Sequence, residues 1–138
     1  MSNSEDEREK IRQQKKEKLL EGEESTGSGQ QPPAEPIEIT DQGHFKEVID
    51  TYDVVLVDCY ADWCGPCKMM DPVVKQLAST SDAAVAKLDV DANQALAGQL
   101  GARSIPTFIV FADGEPVQRM VGAQDKGALE NVIQTASA

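Results

Sequence analysis

Apolar runs long enough to cross a bilayer are missing from this chain. No segment approaches the roughly 18 apolar residues that a membrane span needs, and the first ten, MSNSEDEREK, hold no apolar stretch of the kind a secretory leader carries. The expectation is a soluble cytoplasmic protein with no membrane partner. Basic residues are scarce as well: 13 Lys and Arg stand against 24 Asp and Glu, a formal net charge of −11. Nucleic acid and anionic lipid both need clustered Lys and Arg, so neither is expected as a general partner. Cysteine occurs only three times. An odd count does not suit a framework of structural disulfides, and in a reducing cytosol the closely spaced pair reads as redox or metal chemistry. No internal repeat is apparent. What remains is 138 residues, the length of one domain with an appendage. The acidic excess also suits a high-salt cytoplasm, where screening confines charge repulsion to a few ångströms.

Residues 1–36 read as the appendage, a charged N-terminal extension. Glu5 to Leu20 is rich in helix formers, but Ile11, Leu19 and Leu20 are too few for a core-facing stripe. Ser25 to Pro36, STGSGQQPPAEP, has the composition of an extended, mobile linker. From Ile37 onward strand and helix alternate. Strands are expected at Ile37–Thr40, Val54–Tyr60, Ala84–Val90, Pro106–Phe111 and Pro116–Val121. Helices are expected at Asp41–Tyr52, Cys64–Ser79, Asn93–Leu100 and Asp125–Thr135. Val54–Tyr60 is apolar enough to be buried on both faces, as parallel strands are. Asp113-Gly114 marks a hairpin, so the last two strands are antiparallel. The pattern is α/β, a sheet with helices on both faces.

The stretch VVLVDCYADWCGPCKMMDP, Val54 to Pro72, is the one the rest is organised around. It places Cys64 and Cys67 where a strand turns into a helix. There the first thiol meets unpaired N–H groups and the positive end of the helix dipole, which favour its thiolate. Cys64 is expected to be exposed and to attack; Cys67, one turn deeper, is expected to be shielded and to resolve. Gly65 lets the turn pass close to a substrate, Pro66 is tolerated in a first helical turn, and Trp63 is expected to shelter the site with an apolar face. Half of a zinc site is the other reading of Cys-x-x-Cys, but the second half is missing: Cys59 lies within the strand and His44, the single histidine, on another helix. No metal is expected. Asp58 interrupts the apolar strand. It sits either in water at the strand end or beneath the cysteines as a carboxylate of raised pKa that takes the proton Cys67 must lose. Ile105-Pro106 puts a proline at the mouth of a buried strand, as plain punctuation or for a reason of its own.

WCGPC, with the order of elements, RSIPT at Arg103–Thr107 and VGA at Val121–Ala123, resembles the thioredoxin family over residues 37–138. The resemblance implies the thioredoxin fold: a central mixed five-stranded sheet, the Val54 strand in the middle, and four flanking helices. It implies a Cys64 pKa near about 7, Asp58 as the buried acid, and Lys87 as its partner lysine, although an ordinary edge lysine reads the same in sequence. It also implies that Ile105 and Pro106 form a cis-proline loop and that Gly122 and Ala123 complete the groove for an extended substrate. Two departures stand out. Cys59 and Tyr60 occupy positions where larger aromatics are frequent, and Cys59 reads as a buried, inert thiol. Asp71 puts a carboxylate before Pro72, i+4 from Cys67, where it either alters partner choice or faces solvent.

The function implied is a protein-disulfide reductase, a cytoplasmic monomer working through the reversible Cys64–Cys67 disulfide. It has no further cofactor, disulfide-containing proteins are its substrates, and an external, thioredoxin reductase-like enzyme is its electron donor. Two alternatives stay open: a binding module of the same fold, and a disulfide oxidase or isomerase. The Gly-Pro dipeptide resembles the reducing members, with potentials near −270 mV against about −120 to −180 mV for the oxidants.

Overall fold

The structure, a computed structural model, describes residues 31–137. The stretch Glu5–Leu20, rich in helix formers, and the linker as far as residue 30 lie outside the described residues; residues 31–36 carry neither helix nor strand. The element order is β1 (Ile37–Glu38), α1 (Gln42–Thr51), β2 (Val54–Tyr60), α2 (Gly65–Thr80), β3 (Ala84–Asp89), α3 (Gln94–Leu100), β4 (Thr107–Ala112), β5 (Glu115–Val121) and α4 (Lys126–Ser137). Every element expected from Ile37 onward is present, with ends shifted by at most two residues.

Local chemistry accounts for most of these boundaries. Asp41 caps α1, its Oδ1 accepting from the His44 N–H at 2.8 Å, and Phe45, Val48 and Ile49 form the buried face at helical spacing. Gly101 ends α3 in the left-handed region at φ 72°, where its N–H and that of Ala102 reach back to the last carbonyls. Asp113 and Gly114 both have positive φ, 52° and 83°, the two-residue turn whose twist matches a hairpin.

The five strands form one sheet in the order β1-β3-β2-β4-β5. β2 pairs in parallel with β3 and antiparallel with β4, so it is the middle strand of a mixed sheet. Six of its seven residues are buried because both faces are covered. On one face Val55, Val57 and Cys59 pack with Phe45, Ile49 and Leu96, the side of α1 and α3. On the other Val54 and Leu56 pack with Met70, Val74, Leu77, Leu129 and Ile133, the side of α2 and α4. A fully buried Leu or Val stabilises the fold by roughly 1.5–3 kcal/mol. An acidic residue in the middle of this strand therefore stands against a strong apolar background.

The register places that residue. Asp58 lies opposite Lys87 on β3 and Phe108 on β4, and Lys87 lies opposite Glu38 on β1. Side chains alternate along a strand, so Asp58 shares the face of Leu56 and Tyr60, beneath α2. Leu56 belongs to the core under α2, and Tyr60 packs against the cysteines. Asp58 sits between the two.

Candidate active site

Cys64 is the N-cap of α2, and its Sγ accepts from the Cys67 N–H at 3.2 Å. A sulfur so placed faces the free N–H groups of the first turn, and Pro66, which has none to offer, occupies that turn. Cys64 and Cys67 are joined as a disulfide, with Cα atoms 5.2 Å apart. Against expectation Cys64 is not exposed: it is 4% accessible and Cys67 2%. Ala61, Tyr60, Val90 and Ile105 pack around the pair. The Ile105 carbonyl oxygen lies 4.0 Å from Cys64 Sγ.

The expected shelter from Trp63 is also different. Trp63 is 70% exposed, its indole N–H donating to Asp91 Oδ2 at 2.8 Å. An exposed hydrogen bond fixes the ring at the rim, and the cover over the sulfurs comes from Tyr60, Ala61, Val90 and Ile105 instead. Ala61 and Val90 carry no chemical signal in sequence; only proximity to the strand ends reveals them.

Two of the expected groove loops are joined. Ile105-Pro106 is a cis peptide bond, and the Gly122 N–H donates to the Pro106 carbonyl at 2.8 Å, tying the two loops together. Gly122 holds φ 93°, with nothing within 4 Å of the position a Cβ would take. Its backbone conformation, not crowding, calls for glycine. Gly65 likewise meets open space, and Gly65, Pro66 and Ala123 are exposed.

Asp58 is fully buried, and neither carboxyl oxygen has a hydrogen-bond partner among the described residues. Burial pushes its pKa up to about 7; Lys87 opposes the rise, and Asp71 and Glu38 add to it. The strand-end reading of Asp58 is thereby excluded. Lys87 is not its hydrogen-bonded partner. The Lys87 Nζ pairs with Asp71 Oδ1 at 2.9 Å and lies 4.3 Å from the centre of the Tyr60 ring. Asp71, left between two roles by the sequence, is thus half of an ion pair, with a partner sixteen residues away on another element. Glu38 accepts from the Tyr60 hydroxyl at 2.6 Å. Cys59 points to the opposite core; burial drives its thiol up to about 12, so it is inert at neutral pH. No group of three or more His, Cys, Asp or Glu side chains suited to a metal occurs among the described residues.

A disulfide-forming pair at a helix mouth, set at the carboxyl end of the central strand of a mixed sheet, defines an α/β thiol–disulfide oxidoreductase. The Thioredoxin family model matches residues 35–135, and the chain belongs to the thioredoxin family. A thioredoxin from Mycobacterium tuberculosis is 48% identical over 95 residues, 67% of this chain and 82% of that protein. A bifunctional thioredoxin reductase/thioredoxin from Mycobacterium leprae is 50% identical over 95 residues, 67% of this chain but only 21% of its own length. Among solved structures, a mutant thioredoxin from Halobacterium salinarum superposes with a TM-score of 0.76 at 51% identity, covering 80% of this chain and 97% of that one. The protein is a thioredoxin-type dithiol–disulfide reductase.

Proposed function

We propose that Cys64 is the attacking thiol and Cys67 the resolving thiol in the reduction of protein disulfides, with Asp58 taking the Cys67 proton. The single observation that carries the reading is the buried, unpartnered Asp58 carboxyl set between the core under α2 and the packing around the cysteines. In the reduced protein the Cys64 thiolate attacks one sulfur of the substrate disulfide. A mixed disulfide forms and the first substrate thiolate leaves. Cys67 gives its proton to the Asp58 carboxylate and attacks Cys64 Sγ; the Cys64–substrate bond breaks and the second substrate thiolate leaves. Two electrons pass to the substrate, and the protein is left as the Cys64–Cys67 disulfide.

The Ile105 backbone offers an extended substrate its hydrogen bonds, Pro106 and Gly122 hold that loop in place, and Trp63, Gly65, Pro66 and Ala123 line the approach. A separate reductase returns the two electrons, and no cofactor beyond the cysteine pair takes part. We place this activity in the cytoplasm, in a monomer; no described helix is long and apolar enough to cross a membrane.

The test is reduction of insulin by wild type, Cys64→Ser and Cys67→Ser with dithiothreitol as donor. Wild type is expected to exceed dithiothreitol alone. Cys64→Ser is expected to be inactive, and Cys67→Ser to accumulate mixed disulfides on Cys64. Trapping of the same partners by Cys64→Ser would instead mark a binding module, and a potential above about −200 mV an oxidase or isomerase.

A further inference from the structure

Glu38, Lys87 and Asp58 stand side by side across β1, β3 and β2, on the face beneath α2. With Asp71 above them on α2, three carboxylates stand on the same face as one ammonium. Lysine has a long, flexible stem and a point charge, so from its register position it reaches either Asp58 beside it or Asp71 above it. The observed choice is Asp71, at 2.9 Å, with the ammonium also over the Tyr60 ring at 4.3 Å. Glu38 is engaged by the Tyr60 hydroxyl at 2.6 Å. Asp58 is left with neither oxygen paired.

We propose that Asp71 is a positioning residue for the resolving step: it draws the Lys87 ammonium up to the half-exposed flank of α2 and away from Asp58. Without that pull Lys87 turns to Asp58. A carboxylate in contact with an ammonium holds its charge and takes up a proton poorly, its pKa lying about one to three units lower than without the contact. Loss of the Asp71 charge acts in the same direction, because Asp71 adds to the rise of the Asp58 pKa. The other groups facing Asp58 do not offset this. Glu38 on β1 works with Asp71, Phe108 on β4 is apolar, Tyr60 stays neutral because its pKa is raised by burial and by Glu38, and Cys59 is protonated on the far side of the sheet.

The proposal rests on Asp58 being the proton acceptor, and its test separates the two claims. The Asp58 carboxyl carbon shift is followed against pH by NMR in the oxidised protein. Asp71→Asn is expected to lower the midpoint by about one pH unit, and Asp71→Glu to restore most of it. In a Lys87→Met background, with no ammonium to move, Asp71→Asn is expected to lower it by clearly less. An unchanged midpoint in Asp71→Asn, or an equal fall with and without Lys87, overturns the positioning role. Single-turnover reduction of insulin by the same variants then reads the reaction. The pH limb of the resolving step is expected to move down with the Asp58 midpoint. If the midpoint moves and the limb does not, Lys87 is positioned as described but Asp58 is not the acceptor.

Discussion

At the scale of single residues, the cost of Asp58 should be visible in stability. Its pKa is about 7 in the folded protein against an ordinary 3.8, so between these values the folded state binds the extra proton. Stability from this group is complete below about pH 4 and is lost as pH rises through 7; above that, the ionised buried carboxylate costs on the order of 4 kcal/mol. Asp58→Asn in the oxidised protein is therefore expected to raise the unfolding free energy by a few kcal/mol at pH 8 and to give no such gain at pH 4, as measured by urea denaturation at the two pH values. An equal effect at both would separate the cost from ionisation. Cys59 offers a second test. With its thiol pushed up to about 12 and no surface exposed, it should resist iodoacetamide at pH 7 in the folded protein and react once the chain is unfolded, as counted by mass spectrometry. The identities of Cys64, Cys67 and Asp58 were legible in sequence because each breaks a local pattern. The partner of Lys87 was not, because an ion pair between a strand and a helix sixteen residues apart leaves no periodic trace.

At the scale of elements, short-range rules fixed where helices begin and end. The cap at Asp41, the glycine at Gly101 and the turn at Asp113-Gly114 are each required by backbone geometry a few residues wide. Gly101→Ala is expected to cost about 1–2 kcal/mol in urea denaturation, because an L-residue is held at φ 72°. The space around Gly101 does not add to this, since the nearest neighbour of a Cβ there would be the Arg119 guanidinium at 3.7 Å. Inside α2 the determinant is packing. Leu77 is fully buried between that helix and the sheet, so Leu77→Ala is expected to cost about 2–5 kcal/mol. Cys64, at the N-cap, is where element and site coincide: the group that starts the helix is also the reacting sulfur.

At the scale of the whole molecule, charge is the leading variable. A net charge of −11 repels itself in the compact state, and salt screens that repulsion over shorter distances as its concentration rises. The melting temperature is expected to climb between low and molar KCl; a flat response would show that the acidic residues are already balanced locally. Residues 1–36 offer too few apolar side chains for a core-facing stripe, so removing them is expected to leave the melting temperature and insulin reduction nearly unchanged.

The residues alone were enough for the elements from Ile37 onward, the antiparallel sense of the last two strands, and the cysteine pair at the helix mouth. These depend on periodicity, caps and turns, which act between residues close along the chain. Three-dimensional packing was needed to learn that oxidised Cys64 is covered by Ala61, Val90 and Ile105, that Trp63 is held outward by Asp91, and that Lys87 pairs with Asp71 and not Asp58. These are choices among competing neighbours brought together from different strands and loops. The winner depends on distance and burial in three dimensions, and nothing local in the chain records either.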